Sequence, residues 1–363
     1  MTAGPRSAWA TVRPVQRWAI WGIALVCTLT LAGCWPVPPA PAATARPVAT
    51  SRSTAGPDPA PVASQAGTRA LFVEPDDGPG PVLEAIRGAR RSLDAVVYLL
   101  TDRSVIDALV NAHRRGVAVR VMLERDPYGS GPGNASAHDQ LLRAGVDVRW
   151  ANPAFTLTHE KALIADGETA LIMTLNLVYS AFHGNREYGI ITRDPAEVAE
   201  ALAGFNADWE RRDFKPQAPS LLWSNANTRR KLLAFIDGAR TSLLLEQESL
   251  QDRELLRHLA GAARRGVDVR IITPPDDGKS DPNRQGREQL LAAGAMVRTL
   301  ESPKVHAKAM VADGARAITG SANLTYSALE HNRELGILVV EPEIVQRMVD
   351  TFAEDWARAR TYR

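Results

Sequence analysis

The sequence predicts an α/β fold made of two similar halves, each with a mixed sheet flanked by helices. The pattern H-x-K-x4-D begins at His159 and returns 147 residues later at His306. Residues 114–117 and 264–267 both read Arg-Arg-Gly-Val, at an offset of 150. Within a half, helical and strand periodicities alternate ahead of a hairpin signal, which indicates an α/β sandwich. We therefore divide the chain into halves at 68–215 and 216–363.

Apolar periodicity and terminating residues place the elements of the first half in order. Two amphipathic helices end where a glycine follows, at Gly116 and Gly145. A proline opens the last helix, where its missing N–H costs no hydrogen bond. The predicted order is helix 82–90, strand 93–99, helix 104–115, strand 117–123, helix 135–144, strand 159–165, strand 169–175, strand 188–192 and helix 195–211.

The doubled motif lies around the predicted hairpin. The Asp-Gly pairs at 166–167 and 313–314 are strong turn signals between two strands. Side chains two residues apart share one face of a strand, so His159 and Lys161 point the same way, and the second copy repeats this. The motif aspartates have the opposite parity, which favours a structural role for them over direct catalysis.

Lysine is rare in this chain, which makes its presence in both motifs informative. Of 43 Lys and Arg residues only six are Lys, which leaves 43 − 6 = 37 Arg. Two of the six are Lys161 and Lys308. A generic surface cation would be expected to be arginine here, so lysine at both equivalent positions favours a compact ammonium that acts as a point charge on a phosphate.

Two copies of H-x-K-x4-D, each with an asparagine ten residues past the aspartate, resemble the phospholipase D superfamily, and the likeness covers residues 70–357. The resemblance implies two phospholipase D-like halves packed with pseudo-twofold symmetry around one phosphodiester site. It also implies a phosphohistidine intermediate, with His159 as nucleophile and His306 as acid, and no metal or other cofactor. Glu187 and Glu334, each 28 residues after the histidine of its half, would orient the imidazoles.

The residues themselves agree with phosphodiester chemistry. The motif lysines would neutralise the anionic substrate, and nearby amides and hydroxyls would donate hydrogen bonds to its oxygens. One neutral imidazole attacks phosphorus while the other, protonated, delivers a proton to the leaving alcohol. The candidate catalytic residues are His159, His306, Lys161, Lys308, Asp166 and Asp313. The candidate phosphate-binding residues are Asn176, Asn323, Ser321 and Thr174.

The two halves differ just before the asparagine. Residues 320–323 read Gly-Ser-Ala-Asn, as is usual in the superfamily, whereas residues 173–176 read Met-Thr-Leu-Asn. Met173 adds bulk where a backbone would approach the phosphate. We expect this difference to narrow the substrate range, to shift the pocket or to weaken the activity that depends on the first copy of the motif.

Residues 1–33 have the pattern of an export signal. Three arginines precede an apolar stretch at 19–31, and residues 31–34 (Leu-Ala-Gly-Cys) resemble the lipobox of bacterial lipoproteins. That resemblance implies cleavage before Cys34 and lipidation of its thiol; the alternative is an uncleaved anchor helix. Residues 34–67 are rich in Pro and Ala and predict an extended tether. We expect an exported protein, lipid-anchored to the bacterial cell envelope and facing outside the cytoplasm.

Cysteine and charge counts narrow the function classes. The other cysteine, Cys27, lies within the signal, so the mature domain would have no disulfide, thiolate nucleophile or zinc-thiolate site. Without the three signal arginines the mature chain has 43 − 3 = 40 cations against 41 anions, a net charge of −1. Duplex-binding proteins usually carry a basic excess, so nucleic acid is a disfavoured partner that stays open.

These observations predict a membrane-anchored phosphodiesterase, a hydrolase of phospholipase D type that cleaves phosphatidylcholine-like lipid to phosphatidate and a head-group alcohol. One alternative is a secreted nuclease of the same superfamily. Another is a phosphatidyl transferase like cardiolipin synthase, although such synthases usually carry N-terminal membrane-spanning helices. The remaining alternative is a non-catalytic phosphate-binding lipoprotein. The expected partners are a phospholipid or other phosphodiester and the membrane surface, and the expected state is a monomer.

Overall fold

The computed structural model describes residues 68–128, 133–276, 278 and 280–363. The predicted signal peptide, Cys34 and the tether lie outside the described residues. Within the described part, none of the helices has the length and apolar character needed to cross a bilayer.

Two eight-stranded mixed sheets form the framework; seven strands of the first half and one of the second build the first sheet, and the other strands of the second half build the second. The strands of the first half are β1 (Arg69–Glu74), β2 (Ser92–Val97), β3 (Ala118–Leu123), β4 (Asp147–Trp150), β5 (Lys161–Ala165), β6 (Thr169–Met173) and β7 (Asn185–Thr192). Those of the second half are β8 (Leu221–Trp223), β9 (Ser242–Gln247), β10 (Asp268–Thr273), β11 (Met296–Thr299), β12 (Lys304–Val305), β13 (Lys308–Ala312), β14 (Arg316–Gly320), β15 (Leu335–Val339) and β16 (Arg360–Thr361). The sheet orders are β1-β7-β6-β5-β2-β3-β4, with β12 pairing β7, and β16-β11-β10-β9-β13-β14-β15-β8.

Helices cover both sheets. They are α1 (Gly80–Gly88), α2 (Arg103–Arg114), α3 (Ala135–Arg143), α4 (Tyr179–His183), α5 (Pro195–Trp209), α6 (Thr228–Asp237), α7 (Arg253–Arg264), α8 (Arg284–Ala292), α9 (Tyr326–Glu330) and α10 (Pro342–Arg358). Asp102 begins α2 by accepting hydrogen bonds from the backbone N–H groups of the first turn, and Asp252 does the same for α7. The predicted fold class is confirmed: two similar α/β halves with mixed sheets.

Strand direction changes at the motif strand. β2, β3 and β4 run parallel, as helical crossovers require, whereas β5 pairs antiparallel with both β2 and β6. The β5–β6 turn holds Asp166 at φ 57° and Gly167 at φ 67°, a left-handed pair that the Asp-Gly sequence adopts readily. Asp313 and Gly314 repeat it between β13 and β14.

A central apolar core joins the halves. It takes side chains from both sheets and from α5 and α10, whereas α1–α3 and α6–α8 cover separate outer cores. Trp209, at the end of α5, belongs to this core and is 6% exposed. Residues of the central core include Ile164, Ile172, Phe205, Ala317, Ile337 and Phe352.

The segment that leads into each motif forms backbone hydrogen bonds with the opposite half; we call these two contacts the crossings. β12 pairs in parallel with the start of β7, and the His306 N–H donates to the carbonyl of Arg186 at 3.3 Å. The second crossing mirrors it, since the His159 N–H donates to the carbonyl of Arg333 at 2.9 Å. The sequence Asn-Arg-Glu occurs in both halves, at residues 185–187 and 332–334. These crossings place each motif histidine beside the Asn-Arg-Glu block of the opposite half.

Buried ion pairs reinforce the crossing. The Arg186 guanidinium donates to Asp355 at 2.6 Å, and Arg333 donates to Asp208 at 2.6 Å. Each pair joins the Asn-Arg-Glu block of one half to the last long helix of the other. The sequence Phe-x-x-Asp-Trp is repeated at residues 205–209 and 352–356, and its aspartate is the carboxylate that pairs with the arginine of the opposite half.

Candidate active site

Both motifs open onto one cavity of about 440 Å³. It lies where the two crossings meet, so each half supplies its own histidine and asparagine to the wall. The lining residues are Tyr98, Leu99, Tyr128, Leu157, His159, Asn176, Glu248, His306, Asn323, Thr325, Ser327, Ala328 and Asn332. The structure therefore brings the candidate His and Asn residues of both halves together.

The motif lysines lie behind the histidines, almost without solvent contact. Lys161 is 1% exposed, and its ammonium donates to the carbonyl of His159 at 2.5 Å and lies 4.9 Å from the Tyr98 ring centre. Burial lowers the pKa of Lys161 to about 7, although Glu334 acts in the opposite direction. An anion entering the cavity would add to the negative charge of Glu334 and so favour the ammonium form of Lys161.

Lys308 has a different environment. Its ammonium donates to the carbonyl of its own histidine, His306, as Lys161 does. It also lies 2.8 Å from the Glu248 carboxylate. The two lysines are therefore equivalent in sequence but unequal in charge pairing.

Each histidine meets a glutamate of the opposite half. His159 Nδ1 lies 2.9 Å from Glu334 Oε2, and His306 Nδ1 lies 2.7 Å from Glu187 Oε1. The sequence reasoning had associated each glutamate with the histidine of its own half, and that pairing is wrong because the strand crossing exchanges them. A carboxylate on Nδ1 fixes a proton there and leaves Nε2 for chemistry.

These contacts shift the pKa values of Glu187 and His159. Burial would raise the pKa of Glu187, but His306, Lys308 and the Thr174 hydroxyl together lower it, so it stays an anion. Burial lowers the pKa of His159, and Lys161 and Lys308 add to this against the opposing Glu334. His159 is therefore held in its neutral form, which a nucleophile requires.

The asparagines lie at the cavity wall with unsatisfied amide oxygens. Oδ1 of Asn176 and Oδ1 of Asn323 are buried without a hydrogen-bond partner among the described residues. The Asn323 amide nitrogen donates to Glu248 Oε2 at 3.1 Å. These side chains are placed to bind a polar group in the cavity.

Two of the candidate phosphate-binding residues do not face the cavity. Thr174 donates its hydroxyl to Glu187 Oε2 at 2.6 Å and accepts from the Tyr188 N–H at 2.9 Å. The Ser321 hydroxyl bonds to the backbone of Leu335. Their assignment as phosphate ligands is corrected: Thr174 orients a glutamate, and Ser321 ties two strands together.

Met173 also points away from the cavity. Its side chain is fully buried in the outer core of the first half, and its backbone lies opposite Gly189. Its counterpart Gly320 lies opposite Gly336, where an added Cβ would fall 2.3 Å from the Gly336 Cα. The bulk of Met173 therefore does not narrow the cavity, as the sequence comparison had suggested.

The motif aspartates lie at the other end of the motif strand, about 16 Å from the lysine at a rise of ~3.3 Å per residue. Asp166 accepts from the backbone N–H groups of Arg90, Arg91 and Ser92. Asp313 binds the equivalent residues 240–242. Their place in the candidate catalytic set is corrected: they fasten the hairpin turn to the neighbouring strand.

Sequence reasoning missed Glu248 and Tyr98. They occupy the same position in the repeat at the offset of 150, one residue past β9 and β2. The Tyr98 ring lies 4.5 Å from the His159 ring, edge to face, and Glu248 lies beside His306. The signal available in the sequence was their position at strand ends next to the motif strands. Among the described residues, no group of three or more His, Cys, Asp or Glu has the arrangement of a metal site.

The fold and the doubled site define a member of the phospholipase D superfamily. Residues 82–209 and 232–356 match the family described as "Cardiolipin synthase, PLD-like domain". The match covers both halves, so the chain belongs to this family.

Individual proteins of known name are also similar to this chain. The chain is 24% identical to a cardiolipin synthase of Listeria monocytogenes serotype 4a (strain HCC23) over 331 residues, which is 78% of this chain and 68% of that protein. It is 36% identical to a mitochondrial cardiolipin hydrolase of Xenopus laevis over 132 residues, or 36% of this chain and 61% of that one. The fold resembles the crystal structure of the Haemophilus influenzae phosphatidylserine synthase, with a TM-score of 0.62 and 12% identity over 83% of this chain and 89% of that one.

Proposed function

We propose that this protein is a phosphatidyl transferase like cardiolipin synthase, which moves a phosphatidyl group from one phospholipid to the alcohol of another. The observation that carries the proposal is the match of both halves to the cardiolipin synthase family, together with a histidine and an asparagine from each half at one cavity and a lysine buried behind each histidine. It replaces lipid hydrolysis, the first prediction from the sequence, which the comparisons favour less.

The chemistry runs in two displacements. Nε2 of His159 attacks phosphorus, the bond to the leaving alcohol breaks, and His306 gives that oxygen a proton. The acceptor hydroxyl then loses its proton to the neutral His306 and attacks phosphorus, and the bond to His159 breaks. Both lysines balance the charge of the phosphoryl oxygens throughout.

The nature of the acceptor separates transfer from hydrolysis. If water takes the place of the alcohol in the second displacement, the same residues release phosphatidate. One observation favours this second candidate: the local 36% identity to a cardiolipin hydrolase. The comparison with the synthases extends over 78% of the chain, however, which makes transfer the better supported activity.

The test incubates the full-length chain with phosphatidylglycerol vesicles in chelator, with single-stranded DNA in a parallel reaction. Cardiolipin carries two phosphatidyl groups on one glycerol, so the transferase yields cardiolipin and free glycerol in equal amounts by mass spectrometry. His159→Ala and His306→Ala should abolish product. His258→Ala is the matched control because His258 lies on α7 and pairs with Asp237 away from the cavity.

Other reaction products would identify one of the alternative functions. Phosphatidate without cardiolipin indicates a hydrolase, and cleaved DNA with intact lipid indicates a nuclease. Turnover of none of these substrates leaves the non-catalytic binding protein.

We also propose that the chain is exported and held at the bacterial cell envelope through a lipid on Cys34. The motif at 31–34 and the Pro-rich segment that follows it support this. Mass spectrometry of the N-terminal peptide from membranes should find an acylated Cys34. An unmodified peptide that still includes residues 1–33 would contradict the proposal.

A further inference from the structure

Glu248 is a charged residue in the cavity that the doubled motif does not explain. One carboxylate oxygen, Oε2, lies 2.8 Å from Lys308 Nζ, 3.1 Å from Asn323 Nδ2 and 3.6 Å from His306 Nε2. It therefore touches the three polar groups that the second half offers to a phosphate. The equivalent position in the first half is Tyr98, which carries no charge.

The charges around the two histidines differ as a result. Two carboxylates face His306, Glu187 from β7 and Glu248 from the end of β9, against one ammonium, Lys308, which lies 3.2 Å from Nδ1 and 3.4 Å from Nε2.

One carboxylate contacts His159 directly: Glu334, which comes just before β15, with the Tyr98 ring beside the imidazole. Glu248 acts on His159 at longer range than on His306, whose Nε2 lies 3.6 Å from it. Lys161 from its own strand and Lys308 across the cavity both oppose protonation. More negative charge therefore lies against the His306 ring than against the His159 ring, whose neutral form burial and the two lysines favour.

We propose that Glu248 is the positioning residue that makes the two motif copies unequal, so that His306 serves as proton donor and His159 as nucleophile. This inference rests on the proposed function and assigns the roles within it. The proton held on His306 Nε2 beside Glu248 passes to the oxygen of the leaving alcohol as the P–O bond breaks. When the acceptor hydroxyl returns a proton to Nε2, Glu248 again faces a cation.

The same contact makes Glu248 an internal competitor for anions. A phosphoryl oxygen that binds Lys308 and Asn323 has to share them with a carboxylate of like charge. Removal of that charge should make His306 lose its proton more readily before the leaving alcohol needs it, and should tighten the binding of simple oxyanions. A residue with a merely structural role would not produce these opposite effects.

The experiment compares Glu248→Gln with the wild type in three measurements. The first is the pH profile of kcat/KM for phosphatidylglycerol, whose alkoxide leaving group needs a proton. The second is the burst of p-nitrophenolate from bis(p-nitrophenyl) phosphate, whose leaving group needs none. The third is sulfate binding by calorimetry. Glu288→Gln is the charge-matched control because Glu288 is an exposed residue of α8, and thermal melts verify that both variants fold.

In Glu248→Gln we expect the basic limb of the phosphatidylglycerol profile to move about one unit toward lower pH. We expect the aryl burst to change by less than about threefold and sulfate to bind at least about fivefold tighter. Glu288→Gln should match the wild type in all three.

An unmoved basic limb in an active enzyme would overturn the inference, as would equal losses on both esters. If the wild type turns over neither ester, the proposed function fails instead. The sulfate measurement then still decides whether Glu248 competes for anions, and unchanged binding overturns that role.

Discussion

The contact of each glutamate with the histidine of the opposite half can be tested by comparing glutamate variants with histidine variants. Glu187→Gln keeps the shape of the side chain but removes the charge that faces His306 Nδ1 at 2.7 Å. Glu334→Gln does the same for His159 at 2.9 Å. A hydrogen bond to a charged group contributes about 1.5–3 kcal/mol. At ~1.36 kcal/mol per decade, each variant should lose roughly 10- to 100-fold of the step that its own histidine performs.

Two substrates separate the steps. Phosphatidylglycerol needs both the nucleophile and the acid, whereas the first displacement on bis(p-nitrophenyl) phosphate needs only the nucleophile, because p-nitrophenolate leaves without a proton. We expect Glu187→Gln to behave as a weaker His306→Ala, slow on the lipid and nearly normal in the aryl burst. Glu334→Gln should behave as a weaker His159→Ala and lose both.

The comparison does not depend on which histidine attacks. Each glutamate variant is compared with the two histidine variants, and the pattern that it reproduces identifies its partner. If Glu187→Gln followed His159→Ala, and Glu334→Gln followed His306→Ala, the crossed geometry would be refuted. Thermal melts that match the wild type exclude misfolding as the cause.

Three further outcomes follow from burial and charge. Asp355→Asn removes the fully buried carboxylate that faces Arg186 and leaves the half-exposed Asp76 as its remaining ion-pair partner, so it should lower the free energy of unfolding by about 3 kcal/mol in urea. The control Glu168→Gln, which removes an exposed ion pair with Arg91, should cost at most about 0.5 kcal/mol, and equal losses would contradict the role of the buried pair. Because the pKa of Lys161 is lowered to about 7, its ammonium is present below pH 7 and lost above it. Sulfate, whose own charge is constant in this range, should therefore bind more weakly as the pH rises through 7. Lys161→Met should bind sulfate weakly at every pH, and a fall that persists in this variant would point to another group. Gly320→Ala places a Cβ 2.3 Å from the Gly336 Cα and should cost about 2 kcal/mol or more. Gly88→Ala, with open space around its Cβ, should cost about 1 kcal/mol or less, and similar melting temperatures for the two would argue against the close strand contact.

The repeated blocks predicted the central strands and helices because their periodicity is local. The helix predicted at 104–115 forms at Arg103–Arg114, and the strand predicted at 117–123 forms at Ala118–Leu123. Strand β1 was missed because it has no counterpart block in the repeat. The two-residue strand β12 was missed because it is too short to show a period.

The pairing within the site could not be predicted from local patterns. His159 and Glu334 are 175 residues apart in sequence, and their contact depends on which strand of the opposite half lies beside each motif. Spacing alone offered a nearer partner, 28 residues away in the same half. Strand parity, by contrast, is a local property, and it correctly kept the motif aspartates away from the lysines.

The features that make the two histidines alike and the features that make them differ come from different residues. The crossed strands give each histidine the same kind of partner, a glutamate on Nδ1, so symmetry alone would make the two rings interchangeable. A reaction with one nucleophile and one acid requires them to differ. We propose that the difference comes chiefly from the repeat position that holds Tyr98 in one half and Glu248 in the other, beside His159 and His306 respectively. In the proposed mechanism the doubled motif builds the phosphate site, and Glu248, a residue outside it, decides which histidine holds the proton.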